Sequence, residues 1–341
     1  MNSPRITIVD VARAAGTSVT SASVALRGKP GVSDGTRAHI AAVAAKLGYR
    51  PDAAARRLRQ DRSHLLGVTF ALDQAFHTDL VAHLYDAAAE VDHDLVLSAV
   101  TENRSASRAA ESLLEDRCAA LLLISPQITE EELAVLADRS DTVVALGAQV
   151  AVPGVDSVRT DDRVGVTLVV DHLVGLGHRA IAYVDASPMP LNAERRDGYA
   201  SAMRGHGLDR QVRVLPAANT EEAGAALALR LLDEGDLPTA LVAYNDMVAI
   251  GLILTLRGRG VSVPKDISIV GYDDTRAAGL ASVDLSSVRQ DGAQLARTAV
   301  RWATTVGHDL PGTQQKALVA PQLILRSSTT GPRAGKRVGS G

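Results

Sequence analysis

Polar residues stand at the ends of several apolar runs, and they are the side chains with which this sequence could do chemistry. Asp73 follows residues 65–72, Asn245 and Asp246 follow "LVAY", Asp273 and Asp274 follow "SIVGY", and Arg195 and Arg196 lie near the start of a helical segment. Carboxylates, an amide and a guanidinium brought to one cleft suit a ligand with many hydroxyls or ring nitrogens, because each fixes a donor or acceptor in a chosen direction. Two of these residues have a plainer reading: Asp246 as the cap of its helix, and Asp274 as a turn residue. Nothing assembles into catalytic machinery. "GLGHRA", residues 175–180, has the spacing of a dinucleotide-binding turn, but it follows a helix and precedes a strand, the reverse of what that turn requires. There is no P-loop, no G-x-S-x-G elbow and no pair of histidines at i and i+4 among the nine present. Cys118 is the only cysteine, which excludes an internal disulfide and a multi-thiolate metal site; its apolar neighbours make it a small buried hydrophobe rather than a nucleophile. No enzyme activity, cofactor or metal is expected.

A second kind of chemistry sits near the N-terminus. The 341-residue chain carries a formal charge of −3, but residues 1–62 hold 11 Lys and Arg against 4 Asp and Glu, a net of +7, and the remainder stands at −10. A basic head on an acidic body favours a polyanion partner for the head, since neutralising phosphates releases condensed counterions. The elements that would present it are short helices. Thr7-x-x-Asp10 caps one that runs to about residue 15, where Gly16 stops it. Ser18 caps a second through about residue 26, with Ala22, Ala25 and Leu26 inward. Alanines at the contact let two steeply crossing helices approach closely. Ser33-x-x-Thr36 opens a third helix with Ile40, Val43, Ala44 and Leu47 on one face, closed by Gly48. Three such helices make a helix-turn-helix domain over residues 1–48, in which the second helix meets the DNA major groove. "YRPDAAARRLRQ", residues 49–60, places Leu58 among Arg56, Arg57 and Arg59. Too short to stand alone in water, it suits a hinge helix over residues 49–62 that folds on the minor groove, arginines on phosphates and Leu58 as a wedge.

The elements that must position the polar residues of the body begin at residue 65. Apolar strands read at 65–72, 94–100, 119–125, 142–147, 179–186, 212–217, 239–245 and 267–274, with helical segments between most of them. Near-continuous apolar strands alternating with helices indicate parallel sheets covered on both faces. Eight of them suggest an α/β core of two doubly wound lobes with a break near Asp161-Asp162-Arg163, and a cleft outside the carboxyl ends of the strands. Residues 292–306 and 318–328 cross back between the lobes. The expected division is a core over 63–330, lobe one at about 63–161 and 291–320 and lobe two at about 162–290 and 321–330, then a disordered tail over 331–341.

"ITIVDVARAAGTS", "VSDGTRAHIAAVAAKLGYRPDAAARRLR", "HLVGLGHRAIAYV", "ERRDGYASAM", "YNDMVAIG" and "ISIVGYDD", in that order, resemble the LacI/GalR family of bacterial repressors over roughly residues 5–329. The resemblance implies a periplasmic-binding-protein-like core behind the helix-turn-helix head. It implies base contacts from Val19 and Thr20, phosphate contacts from Thr7, Ser18, Ser23, Ser33, Thr36 and Tyr49, and minor-groove insertion by Leu58. Arg27 belongs to the same DNA-facing set, at a position where the family commonly has Asn. Val24 stands where a base-reading Arg is common, and suits a thymine methyl rather than a guanine; Asp52 replaces a usual Asn. For the effector the resemblance implies Arg195, Asn245 and Asp273, with Asp73 and Phe76 from the altered segment "ALDQAFH". Met189 and Leu191, where sugar binders often have polar groups, imply a less polar side to the pocket.

The expected protein is a cytoplasmic transcriptional repressor, acting as a homodimer on palindromic double-stranded operator DNA and governed by a small sugar-like effector. No run approaches the 18 or so apolar residues of a membrane span, and no secretory signal is visible before residue 8. A solute-binding protein for transport shares the core architecture but has no use for a basic helical head.

Overall fold

The computed structural model describes residues 6–26, 30–49, 63–186, 193–305 and 314–333. The chain divides into two compact units, which meet between residues 63 and 64 of the sequence.

In the first unit, Thr7 accepts from the Asp10 amide and Asp10 reaches back to the Thr7 amide, a complete capping box for α1 (Ile8–Ala14). Gly16, at φ +62°, turns the chain in the left-handed region where a side chain would be strained. α2 (Val19–Leu26) and α3 (Asp34–Lys46) follow, α3 capped by Ser33. Val11, Ala12, Ala22, Ala25, Ile40 and Ala44 form the core, with Val43 and Leu47 packed at its edge. Arg37 ties α3 to α2 by donating to the Ala25 carbonyl at 3.1 Å.

The second unit holds two six-stranded sheets. The first has the order β11-β5-β4-β3-β1-β2, from β1 (Leu65–Ala71), β2 (Asp94–Val100), β3 (Ala120–Ile124), β4 (Val143–Leu146), β5 (Val155–Thr160) and β11 (Lys316–Val319), all parallel. Strand alternation sends Leu122 to a core shared with α4 (Ala75–Glu90) and α11 (Gly292–Thr304), where Leu80, Leu84, Leu295 and Trp302 pack. It sends Leu121 and Leu123 to the opposite face under α5 (Ala106–Glu115) and α6 (Glu130–Arg139). The second sheet has the order β12-β10-β9-β8-β6-β7. Its strands are β6 (Ile181–Asp185), β7 (Val214–Pro216), β8 (Ala240–Ala243), β9 (Ser268–Asp273), β10 (Ser286–Arg289) and β12 (Gln322–Ile324), with only β12 antiparallel. α7 (Asp162–Gly175) and α8 (Ala193–Gly205) cover one face, α9 (Glu221–Glu234) and α10 (Asp246–Gly258) the other.

The chain passes between the sheets three times: after Thr160, after Arg289, and between Val319 and Gln322. Thr160 donates to Gln290 Oε1 at 2.7 Å, which stitches the first crossover to the second.

Three expectations are corrected. There are twelve strands among the described residues rather than the eight apolar ones: β5 and β10 carry polar residues in place of an apolar run, while β11 and β12 fall in or next to the late segment 318–328 expected to cross back between the lobes. The C-terminal tail is held through Arg333: the Thr330 amide donates to Ser268 Oγ at 3.0 Å, the Thr330 carbonyl meets His178 Nε2 at 2.7 Å, and Arg333 pairs with Asp266 at 2.6 Å. Residues 334–341 lie outside the described set. Asp246 does not cap its helix; Asn245 does, its Oδ1 accepting from the Val248 amide at 3.1 Å.

Candidate functional site

The carboxyl ends of the strands in both sheets face one cavity of about 480 Å³. Lobe one contributes Asp73, Gln74, Phe76 and His77, from the turn after β1 and the first turn of α4. Lobe two contributes Asp185, Arg195, Asn219, Tyr244, Asn245 and Asp273, and the crossovers contribute Asp162 and Gln290.

Arg195 is the anchor. Its Nε donates to Asp162 Oδ1 at 3.0 Å and its Nη1 to the Tyr244 carbonyl at 2.8 Å. The guanidinium lies 3.7 Å from the Tyr272 ring centroid and 5.0 Å from that of Tyr244. Tyr272 Oη donates to the same Asp162 oxygen at 2.7 Å. Burial, the largest single influence, opposes the charge on Arg195, but Asp162, Tyr272, Tyr244 and Asp273 together outweigh it and hold the guanidinium protonated above the ordinary arginine range.

Asp273 closes β9 at φ +104°. Its Oδ1 accepts from Gln290 Nε2 at 2.7 Å. Burial pushes its pKa up to about 8, Arg195 opposing and Asp246 adding to the rise. Behind it Asp246 is almost fully buried; it accepts from the Thr275 amide at 2.7 Å, Thr275 Oγ1 at 2.9 Å and Ser287 Oγ at 2.6 Å. Burial pushes Asp246 up to about 6, in spite of those three donors. Asp274 follows the strand as a loop residue clamped between Arg289 and Arg326, each at 2.6 Å. Asn245 has a second bond besides its cap: Nδ2 donates to Asn219 Oδ1 at 2.6 Å, and Asn219 Nδ2 donates to Gln74 Oε1 at 2.9 Å. This amide chain crosses from lobe two to lobe one.

Of the residues read from sequence for this cleft, Asp73, Phe76, Arg195, Asn245 and Asp273 line the cavity. Met189 and Leu191 lie outside the described residues, and with them the reading of a less polar side. Asp162, Gln290, Asn219 and His77 also line it and carried no signal that sequence reading used. Asp162 stood in the segment read as a lobe break; that Asp161 caps α7, accepting from the Val164 amide at 3.1 Å, is what leaves Asp162 free for Arg195.

In the first unit, Thr7 and Ser33 are the caps of α1 and α3. Ser18 Oγ accepts from the Ser21 amide at 3.0 Å ahead of α2, and Val19 and Thr20 at the start of α2 are exposed. Ser23, Thr36 and Tyr49 are half-buried. Arg27, Leu58 and Asp52 lie outside the described residues, as does the hinge segment from residue 50 to 62.

Residues 7–52 match the bacterial regulatory proteins of the lacI family, and residues 170–329 match a periplasmic binding protein-like domain. The HTH-type transcriptional regulator GalR of Escherichia coli (strain K12) is 29% identical over 332 residues, covering 96% of each chain. Catabolite control protein A of Priestia megaterium is 30% identical over 305 residues, 88% of this chain and 92% of that protein. Among solved structures, the lac repressor dimer bound to operator and the anti-inducer ONPF is similar at 26% identity with a TM-score of 0.83, covering 96% of this chain and 99% of that one.

Proposed function

This chain belongs to the lacI family of bacterial regulatory proteins, and from that premise we infer a DNA-binding transcriptional repressor, not an enzyme, whose hold on operator is set by a small molecule bound between the lobes of its core. One observation carries the effector half of this reading: Asp73 from one lobe and Arg195, Asn245 and Asp273 from the other face a single cavity. A ligand that bonds to both groups favours one angle between the lobes over another, and only such differential binding shifts a conformational equilibrium.

The route outward is short. Arg195 is one hydrogen bond from Asp162 on the first crossover, Asp273 is one from Gln290 on the second, and Gln290 is bonded to Thr160. Groups that grip the ligand are thus fastened to the strands about which the lobes turn. α2, with Val19 and Thr20 exposed at its start, is the reading element, and Thr7, Ser18, Ser23, Ser33, Thr36 and Tyr49 serve the phosphates. Two such heads in a homodimer match a palindromic site. Effector and operator are coupled reciprocally, each changing the other's affinity by the same factor. The effector class is sugar-like and the compartment cytoplasmic; among the described residues no helix is long and apolar enough to cross a membrane.

The test is selection of bound duplexes from a random DNA pool, repeated with metabolite mixtures. The expected result is a dyad-symmetric consensus whose occupancy a metabolite changes. Enrichment of no symmetric duplex under either condition overturns the reading.

A further inference from the structure

His77 opens toward the cleft from the first turn of α4, only 8% exposed. The Ala71 backbone amide donates to its Nδ1 at 3.0 Å. A backbone N–H can only donate, so Nδ1 carries a lone pair, and in the neutral ring the proton is on Nε2. Burial lowers the pKa of His77 to about 4, with Asp73 opposing weakly, so the ring is neutral at physiological pH. Nε2 has no partner among the described residues. Since Tyr183 Oη is the sole fully buried side-chain polar atom there without one, Nε2 is not sealed from solvent, and His77 is one of the residues that line the cavity. The cleft therefore holds an uncharged N–H donor of fixed tautomer and fixed direction.

Charge narrows what that donor can meet. Asp73, Asp162, Asp185 and Asp273 line the same cavity, and Arg195, already bonded to Asp162 and to the Tyr244 carbonyl, is the permanent cation among its lining residues. Asp273, with its pKa pushed up to about 8, is neutral at pH 7, and Asp185 is paired with Arg196 at 3.2 Å, so an anionic ligand would face Asp73 and Asp162 with the one lining guanidinium already engaged by Asp162.

We propose that His77 is a specificity-determining residue of the cleft, its Nε2–H donating to a hydroxyl or ring oxygen of an uncharged, hydroxyl-rich effector, and that the cleft rejects the phosphate esters of such compounds. This rests on the reading of the cleft as the effector site. It adds a donor from lobe one, which otherwise offers Asp73 as its charged group, so a ligand spanning Arg195 and His77 bridges the lobes.

The experiment uses the full chain. First, long-range 1H–15N correlation at pH 7 is expected to show His77 as a single neutral Nε2–H tautomer; an Nδ1–H tautomer or an imidazolium overturns the proposal. Second, calorimetry is run with D-ribose, D-galactose, cellobiose and adenosine, and with ribose 5-phosphate, galactose 1-phosphate and adenosine monophosphate. At least one neutral compound is expected to bind, each phosphate ester more weakly than its parent, and His77→Asn to weaken the neutral binder at least tenfold. Asn keeps an acceptor for the Ala71 amide while withdrawing the donor from the cavity, so a structural role alone would leave affinity in place. Undiminished affinity in His77→Asn, tighter binding of an ester, or no neutral binder overturns it. Operator binding measured on the same samples separates the two readings: a regulator that still binds operator and is released by a ligand indifferent to His77 sinks this inference alone.

Discussion

The guanidinium carbon of Arg195 lies over the Tyr272 ring, 3.7 Å from its centroid, while both side chains donate to the same oxygen of Asp162. A planar, forked cation is needed for that arrangement. Arg195→Lys keeps the charge but loses the stacking and the Nε contact, so it is expected to abolish effector response while operator affinity stays at the wild-type value. Arg195→Ala leaves Asp162 without its ion-pair partner and costs about 3 kcal/mol of stability. Urea unfolding checks the second expectation, and operator binding with and without effector the first.

Asp273 gives the core a defined dependence on pH. Its pKa in the folded protein, about 8, is above the unfolded value, so the native state binds more protons than the unfolded one between about pH 4 and pH 8. Its contribution to stability is complete below that window and is lost as pH rises through it. Arg195 moderates this loss, whereas Asp246 and Asp162 add to it. Asp273→Asn retains an acceptor for Gln290 and has no proton to lose. The variant is expected to gain stability relative to wild type at pH 8.5 and to flatten the fall between pH 6 and 8.5, measured by urea midpoints at both pH values. An unchanged difference between the two midpoints contradicts the assignment.

How far the sequence disclosed all this depends on distance along the chain. The head was legible because each cap lies three residues from its partner: Thr7 with Asp10, Ser33 with Thr36. The apolar strands and the polar residues at their ends were legible for the same local reason. Partners were not. Asp162 meets Arg195 across 33 positions, Asn219 meets Gln74 across 145, and Thr160 meets Gln290 across 130, and no periodicity encodes such pairs. β5, "VDSVRT", hid because its serine and aspartate look solvent-exposed, yet both are buried: Ser157 donates to the Ala148 carbonyl at 2.7 Å, and Asp156 accepts from the Gln315 amide at 2.7 Å.

Tyr183 is fully buried and stacks on Tyr199 with ring centroids 5.5 Å apart, but its hydroxyl has no partner among the described residues. An unsatisfied buried hydroxyl carries a desolvation cost of about 1–3 kcal/mol. Tyr183→Phe removes it and keeps the ring. The variant is expected to be as stable as wild type or more stable by about 1 kcal/mol in thermal or urea unfolding; a loss of that size would reveal a partner for the hydroxyl.

The two roles assigned in the head separate cleanly in a binding assay. Thr20 is exposed at the start of α2, so Thr20→Ala is expected to relax preference at one position of the operator half-site at a cost of about 1 kcal/mol. Tyr49→Phe removes the hydroxyl proposed to meet a phosphate and no cap, and is expected to weaken binding equally across operator variants. Measuring both proteins against a set of single-base operator changes gives a sequence-dependent loss for one and a uniform loss for the other. The same profile from both would show that α2 does not read bases through Thr20.

α9 and α10 cross at two glycines. A Cβ built on Gly251 would stand 2.0 Å from the Glu221 carbonyl oxygen, and one on Gly224 would stand 2.2 Å from the Val248 carbonyl oxygen. Both obstacles are backbone, so no side chain can swing aside, and the helices would have to separate. That matters to the cleft because α9 follows Asn219 and α10 begins after Asn245, whose side chains are bonded to each other at 2.6 Å. Gly251→Ala is therefore expected to cost at least about 3 kcal/mol and, wherever the variant still folds, to weaken effector binding by parting that amide pair. Gly258→Ala, at the end of the same helix with nothing within 4 Å, serves as the control and is expected to leave effector binding unchanged. Equal urea midpoints for Gly251→Ala and wild type would mean the two helices do not approach this closely in solution.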